Sequence, residues 1–183
     1  NNALGAIVGN GFYNINRERY YKLAIAYGAP KLKLMVRVRY TDGTEEIVTT
    51  DQSWKASPSP ITFASIFGGE DYDARLEQPG WDKPGFDDSK WVNAMLVREP
   101  LGELKPETDH PVRILQTFEP VSISDPAQGI YVYDFGQNAS GIISLKTRGG
   151  KGKEIRLHPS ELIGPDSLVN QKASGYPYYF SYI

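Results

Sequence analysis

The chain has 183 residues, 40% of them apolar, enough for one good-sized domain or two small ones; this excludes disorder as the default state. Its 20 basic and 22 acidic residues leave a net charge of -2, so no basic footprint points to nucleic acid or to an anionic membrane. With no cysteine and only His110 and His158, the chain excludes a disulfide framework, a thiol nucleophile and cysteine-ligated metals, and leaves almost no room for a multi-histidine site.

No run approaches the roughly 18 to 20 apolar residues of a membrane span, and the start lacks the basic, apolar, small-residue order of a secretory signal. Residues 1–9, NNALGAIVG, read as an apolar strand already under way, and residues 176–183, YPYYFSYI, as a strand that stops midway, so both ends read as cut. Residues 31–40, KLKLMVRVRY, place Leu32, Leu34, Val36, Val38 and Tyr40 on one face and Lys31, Lys33, Arg37 and Arg39 on the other, a half-buried antiparallel strand with Met35 on its wet side. Asp42-Gly43 is expected to supply the positive-φ residues of a tight hairpin, with 45–50 as the returning strand. A short helical turn is expected after Asp87, because Asp87 or Asp88 can accept backbone N–H bonds at a helix start.

Residues 99–111, EPLGELKPETDHP, carry three prolines and read as a loop or linker, which puts a domain boundary near Pro120. Beyond it, residues 130–135, 141–148 and 153–158 alternate apolar and polar between glycine-rich breaks. The 18 glycines and 13 prolines leave little uninterrupted length for helices. The expected fold is therefore all-β, an antiparallel β-sandwich or jelly roll, with residues 1–119 before the boundary and residues 120–183 beyond it.

The densest chemistry lies in residues 66–81, IFGGEDYDARLEQPGW. Asp71 and Asp73 on one strand face would lie about 7 Å apart, within the separation that a pair of glycosidase carboxyls requires. Against that, Arg75 on the same face would neutralise one of them, and Gly68-Gly69 suits a bulge or turn. The reading favoured is a structural polar network of Glu70, Asp71 and Arg75. The carboxylates Glu70, Asp71 and Asp73 are also of the type that ligates calcium, although their spacing matches no EF-hand loop. Phe12, Tyr13, Trp54 and Trp81 are candidate sugar-stacking faces. Gln137, Asn138 and Ser140 lie in a glycine-flanked loop with side chains able both to donate and to accept. Asn138-Ala139-Ser140 also reads as a glycosylation acceptor, relevant only in a eukaryotic secretory host. Asp134-Phe135-Gly136 stands without the glycine-rich loop and strand lysine that a kinase requires, and no Gly-x-Ser-x-Gly elbow is present.

Taken in order, these motifs are specific. Gly9-Asn10-Gly11-Phe12-Tyr13, Tyr40-Thr41-Asp42-Gly43-Thr44, Asp51-Gln52-Ser53-Trp54, Gly69-Glu70-Asp71-Tyr72-Asp73-Ala74-Arg75, Pro79-Gly80-Trp81 and Phe86-Asp87-Asp88-Ser89-Lys90-Trp91 together resemble the N-terminal β-sandwich domain of bacterial α-L-rhamnosidases, which implies a galactose-binding-like sandwich over residues 1–119 and part of a second β-sandwich over residues 120–183. Tyr133-Asp134-Phe135-Gly136-Gln137-Asn138 and Pro159-Ser160-Glu161-Leu162 resemble the start of the β-sandwich that follows it. The resemblance implies an inverting hydrolase of terminal α-L-rhamnose whose acid pair sits on a downstream (α/α)6 barrel, so no catalytic residue carries over to this chain. It implies as partners a rhamnose-containing glycan and that downstream catalytic domain, with neither nucleic acid nor a membrane span, and it favours a bacterial, exported setting over a cytoplasmic one. In some members of the family related sandwich domains bind L-rhamnose with calcium, and the resemblance implies that the aromatic of the Gly-Asn-Gly-aromatic-Tyr motif, here Phe12 where tryptophan is common, can lie at that sugar site. Two readings follow: a non-catalytic support for the barrel, with no cofactor, and an autonomous carbohydrate-binding module using Phe12, Asp73, Trp81 and Asn138, with calcium as its one candidate metal. A third has the wet face of residues 31–40 packing against a neighbouring domain.

Overall fold

Short alternating segments punctuated by glycine fold into short strands. The computed structural model of the chain describes residues 2–19, 26–98, 103, 105–174 and 177–183. In chain order the strands are β1 (Met35–Arg39), β2 (Glu45–Thr49), β3 (Lys55–Ala56), β4 (Ile61–Ser65), β5 (Gly69–Tyr72), β6 (Val92–Asn93), β7 (Ser122–Ala127), β8 (Ile130–Asp134), β9 (Ile155–Leu157) and β10 (Tyr179–Tyr182). The helical pieces among the described residues are single 3-10 turns at Ala74–Leu76 and Lys172–Ser174, so the all-β class is the one adopted, and none is long enough to cross a membrane.

Among the described residues the strands pair as three two-stranded ribbons, β1-β2, β3-β6 and β7-β8, and one four-stranded sheet of order β4-β5-β10-β9. The β1-β2 ribbon follows the alternation in the sequence: Val36 and Val38 are half-buried, while Met35, Arg37 and Arg39 face out. Arg39 and Arg37 both reach Glu45, at 2.8 and 3.8 Å, so the wet face carries its own charge pairing. The turn differs in type from the expected one. Gly43 has φ +86°, Asp42 does not enter the left-handed region, and Tyr40 N–H donates to Thr44 O at 2.9 Å, which makes a three-residue loop with a glycine bulge.

The four-stranded sheet joins chain from either side of Pro120. β10 runs parallel to β5, with Tyr179 opposite Gly69 and Tyr182 opposite Tyr72, and antiparallel to β9. Beyond the ladder, Ile183 N–H donates to Tyr72 O at 3.0 Å and Ala74 N–H to Ile183 O at 2.9 Å.

Three expected elements are not formed. Residues 2–9 join no ladder, and their Gly5 lies instead against the Trp81 ring. Residues 141–148 also stay outside every sheet, leaving Ile142 86% exposed; alternation defines two faces but supplies no neighbouring strand to bond with. After Asp87 there is a turn, not a helix: Asp87 Oδ1 accepts the Ser89 N–H at 3.0 Å and Trp91 N–H closes on Asp88 O at 2.9 Å. Of the linker read at 99–111, residues 99–102 and 104 lie outside the described residues, and the rest is exposed and without strand.

The buried apolar side chains among the described residues are Ile15, Phe63 and Val132. The accessible surface is 15410 Å², where a closed monomer of this mass would show about 8,800 Å². Val112 (97% exposed) and Leu115 (94%) belong to this open apolar surface.

Candidate functional site

Ser65 Oγ closes the turn from β4 into β5 by accepting the backbone N–H groups of Gly68 (3.2 Å) and Phe67 (3.4 Å). Gly69 then opens β5 at φ +89°, and the strand alternation sends Glu70 and Asp71 to opposite faces. Asp71 shares its face with its ladder partners Phe63 and Ser181, and Glu70 shares the other with Ala64 and Phe180.

Arg19 supplies the charge for the Asp71 face. Its guanidinium lies between the rings of Tyr179 (3.7 Å to the centroid) and Phe63 (4.2 Å), pairs through Nη2 with Asp71, and donates from Nη1 to Tyr179 O at 3.3 Å. Ser181 Oγ donates to the other Asp71 oxygen at 2.5 Å. The pair is mostly shielded from water, with side chains 12% exposed for Arg19 and 24% for Asp71. Arg156, held by Glu154 at 2.6 Å, covers Tyr179 from a further 5.1 Å. A guanidinium between two rings combines stacking with a charge-assisted bond, the geometry for which arginine is suited and lysine is not.

Asp73 has a separate role. β5 stops at Tyr72, so Asp73 is not a strand residue and does not share a face with Asp71 and Arg75 as the alternation suggested. It caps the Ala74–Leu76 turn by accepting the Arg75 N–H at 3.0 Å, and it takes the Arg75 side chain in a fork at 2.8 and 2.6 Å. Those bonds from Arg75 hold the Asp73 carboxyl below the ordinary aspartate range. Arg75 therefore neutralises Asp73, and the partner of Asp71 is Arg19, for which neither spacing nor periodicity offered a signal.

The Glu70 carboxyl has no hydrogen bond among the described residues, and burial, then the neighbouring Asp71 charge, push it above the ordinary value of 4.5. A folded-state value raised in this way means that the ionised form opposes folding at neutral pH and that the penalty vanishes once the group is protonated in both states. Glu70→Gln is thus expected to stabilise the fold at pH 7, by less than for a fully buried carboxyl because solvent screens this partly exposed one. The gain should shrink to nothing well below 4.5, as urea midpoints at the two pH values would show.

These three carboxylates do not make an acid pair. Asp71 and Asp73 are each engaged by an arginine, and Glu70 points to the far side of the sheet. Nor do they converge on a cation: among the described residues no group of three or more His, Asp or Glu side chains is gathered as calcium would require. The reason is the pleat, which separates Glu70 from Asp71, and the strand end, which turns Asp73 away.

The candidate sugar contacts are dispersed. Gly11 at φ +49° turns the chain so that Asn14 N–H bonds Asn10 O, Asn10 Nδ2 donates to Ala64 O at 3.0 Å, and Phe12 is left 62% exposed with its ring edge-on to Phe67 at 5.9 Å. Trp81 is half-buried and part of its ring is covered by Gly5, where an added Cβ would meet Cζ3 at 2.3 Å. Trp54 donates its indole N–H to Thr49 O at 3.1 Å, and Tyr13 stacks obliquely on Tyr27 at 5.7 Å. Asn138 stands exposed beyond β8, after a turn in which Asp134 Oδ1 accepts the Gly136 N–H at 2.7 Å. Among the described residues no hydrogen bond or ring contact joins Phe12, Asp73, Trp81 and Asn138 to one another.

On the opposite face Tyr72 and Tyr182 stack at 5.7 Å with planes 5° apart, and Tyr72 donates its hydroxyl to Glu77 at 2.7 Å. That bond to Glu77, with burial second, pushes the Tyr72 phenol up to about 12.

Comparison with known proteins fits this scaffold. Residues 1–116 match the family profile described as the alpha-L-rhamnosidase N-terminal domain, and residues 125–183 match the bacterial alpha-L-rhamnosidase concanavalin-like domain. The alpha-L-rhamnosidase of Streptomyces avermitilis is 36% identical over 170 residues, spanning 92% of this chain and 16% of the relative. One from Formosa agariphila is 34% identical over 166 residues, spanning 88% and 17%. The solved S. avermitilis alpha-L-rhamnosidase complexed with L-rhamnose superposes with a TM-score of 0.85 at 32% identity, covering 94% of this chain and 17% of that one. The alpha-L-rhamnosidase from Dictyoglumus thermophilum gives 0.75 at 40% identity, covering 85% and 18%. The chain thus spans about a sixth of the length of the relatives it matches.

Proposed function

The chain belongs to the bacterial α-L-rhamnosidase family, and from that premise we propose that it serves as the non-catalytic support of a longer glycoside hydrolase that removes terminal α-L-rhamnose from glycosides or polysaccharides. Residues 1–119 would be its N-terminal sandwich domain and residues 120–183 the start of the next. The observation that carries this reading is the engagement of Asp71 and Asp73 by Arg19 and Arg75 on a surface that otherwise leaves large apolar area uncovered. Carboxyls held as salts by arginine cannot divide the roles of general acid and base, so the acid pair belongs to another part of the enzyme. Open apolar faces of this extent are where that part would pack.

The test is physical. At micromolar concentration the isolated chain is expected to bind an apolar dye such as anilinonaphthalene sulfonate strongly and to elute as oligomers on size exclusion. A monodisperse, dye-silent monomer would contradict the support role.

A second reading, favoured by the exposure of Phe12 on its glycine turn, makes the chain a carbohydrate-binding module for L-rhamnose, with Phe12 as the stacking face and Asp73, Trp81 and Asn138 as further contacts. One relative's structure holds L-rhamnose. Calorimetric titration with L-rhamnose, with and without calcium, separates the two: heat lost in Phe12→Ala supports the module, and none up to tens of millimolar sugar leaves the support role alone.

A further inference from the structure

The edge of β5 away from β4 is shaped around one incoming strand, β10. Gly69 lacks a side chain where the backbone of Tyr179 passes: a Cβ there would stand 1.8 Å from Tyr179 O. Asp71 draws both its donors through the same contact, since Ser181 belongs to β10 and the Arg19 guanidinium is clamped against the Tyr179 ring. On the reverse face Tyr72 meets Tyr182 ring to ring, and past the end of the ladder Ile183 exchanges backbone bonds with Tyr72 and Ala74. Between these elements, residues 105–120 form no strand and would serve as the tether between the two segments.

We propose that residues 179–183 are a docking strand for the β5 edge, so that the two segments matching separate family domains fold and open as a single cooperative unit joined by strand addition within the chain. Main-chain pairing supplies the affinity, as in other strand-addition interfaces, while Gly69, Asp71 and Tyr72 read the register. The tether raises the effective concentration of the strand without contributing contacts of its own. This inference is independent of which sugar, if any, the chain meets.

A site-specific protease sequence in place of residues 106–111, which are exposed, would let the folded full chain be cut once. The two pieces are expected to co-elute, and the amides of residues 70–72 to keep their hydrogen-exchange protection. Ser181→Ala in the cut protein should weaken the association about tenfold, the worth of one bond to a charged acceptor. Pieces that separate while residues 70–72 stay protected would overturn the proposal, as would an unchanged dissociation constant in Ser181→Ala.

Discussion

Replacing Gly69 with alanine is expected to cost about 4 kcal/mol or more, in the range reserved for changes that a fold cannot absorb. Two independent effects add here. At φ +89° a side chain is strained whatever its surroundings, and the alanine Cβ would stand 1.8 Å from Tyr179 O, 2.6 Å from Tyr179 C and 3.2 Å from Tyr179 N. Those neighbours are backbone, so relief requires β10 to leave β5. The loss should appear as a fall in the urea midpoint and, by hydrogen exchange, as loss of protection at β5, β9 and β10 together, with the β1-β2 ribbon less affected. Gly43 makes the control: it also has positive φ, at +86°, but no atom lies within 4 Å of its Cβ position, so Gly43→Ala carries the backbone strain without the clash.

Arg19→Ala is expected to cost about 3 kcal/mol, because it leaves the shielded Asp71 carboxylate with Ser181 as its one side-chain donor among the described residues and opens a gap between the Phe63 and Tyr179 rings. Arg19→Lys should recover part of this, since the charge returns without the planar stack or the second donor to Tyr179 O. The Asp71→Asn, Arg19→Ala double variant should cost less than the two single changes summed, because the second removes a charge the first has already orphaned. Chemical denaturation of the four proteins measures each term. Additive losses would mean that the pair makes no coupled contribution.

How much of this could be read from the chain depended on the range of the interaction. Residues 35–39 and 45–49 and their turn follow from period-two alternation and an Asp-Gly pair, both local signals, although alternation did not distinguish a two-residue turn from the three-residue loop that Gly43 closes. The β9 segment was legible for the same reason. The pairing of β10 with β5 was not, because a parallel contact across more than a hundred residues leaves no periodic trace. Arg19 was missed likewise: it stands among charged neighbours in Arg17-Glu18-Arg19, and only the fold brings Phe63, Tyr179 and Asp71 around it. Alternation put Arg75 on a strand face with Asp71 and Asp73 and grouped it with Glu70 and Asp71, whereas the strand ends at Tyr72 and a cap joins Arg75 to Asp73. Residues 141–148 show the converse case, a strand pattern with no ladder to join.

On the proposed reading, the carboxylates of residues 70–73 are structural. Purified 183-residue chain incubated with an aryl α-L-rhamnoside tests this most directly: no release of the aryl group above the uncatalysed rate is expected, and neither Glu70→Gln nor Asp73→Asn should change that. Turnover that either substitution abolishes would place the chemistry in residues 70–73 and contradict the account.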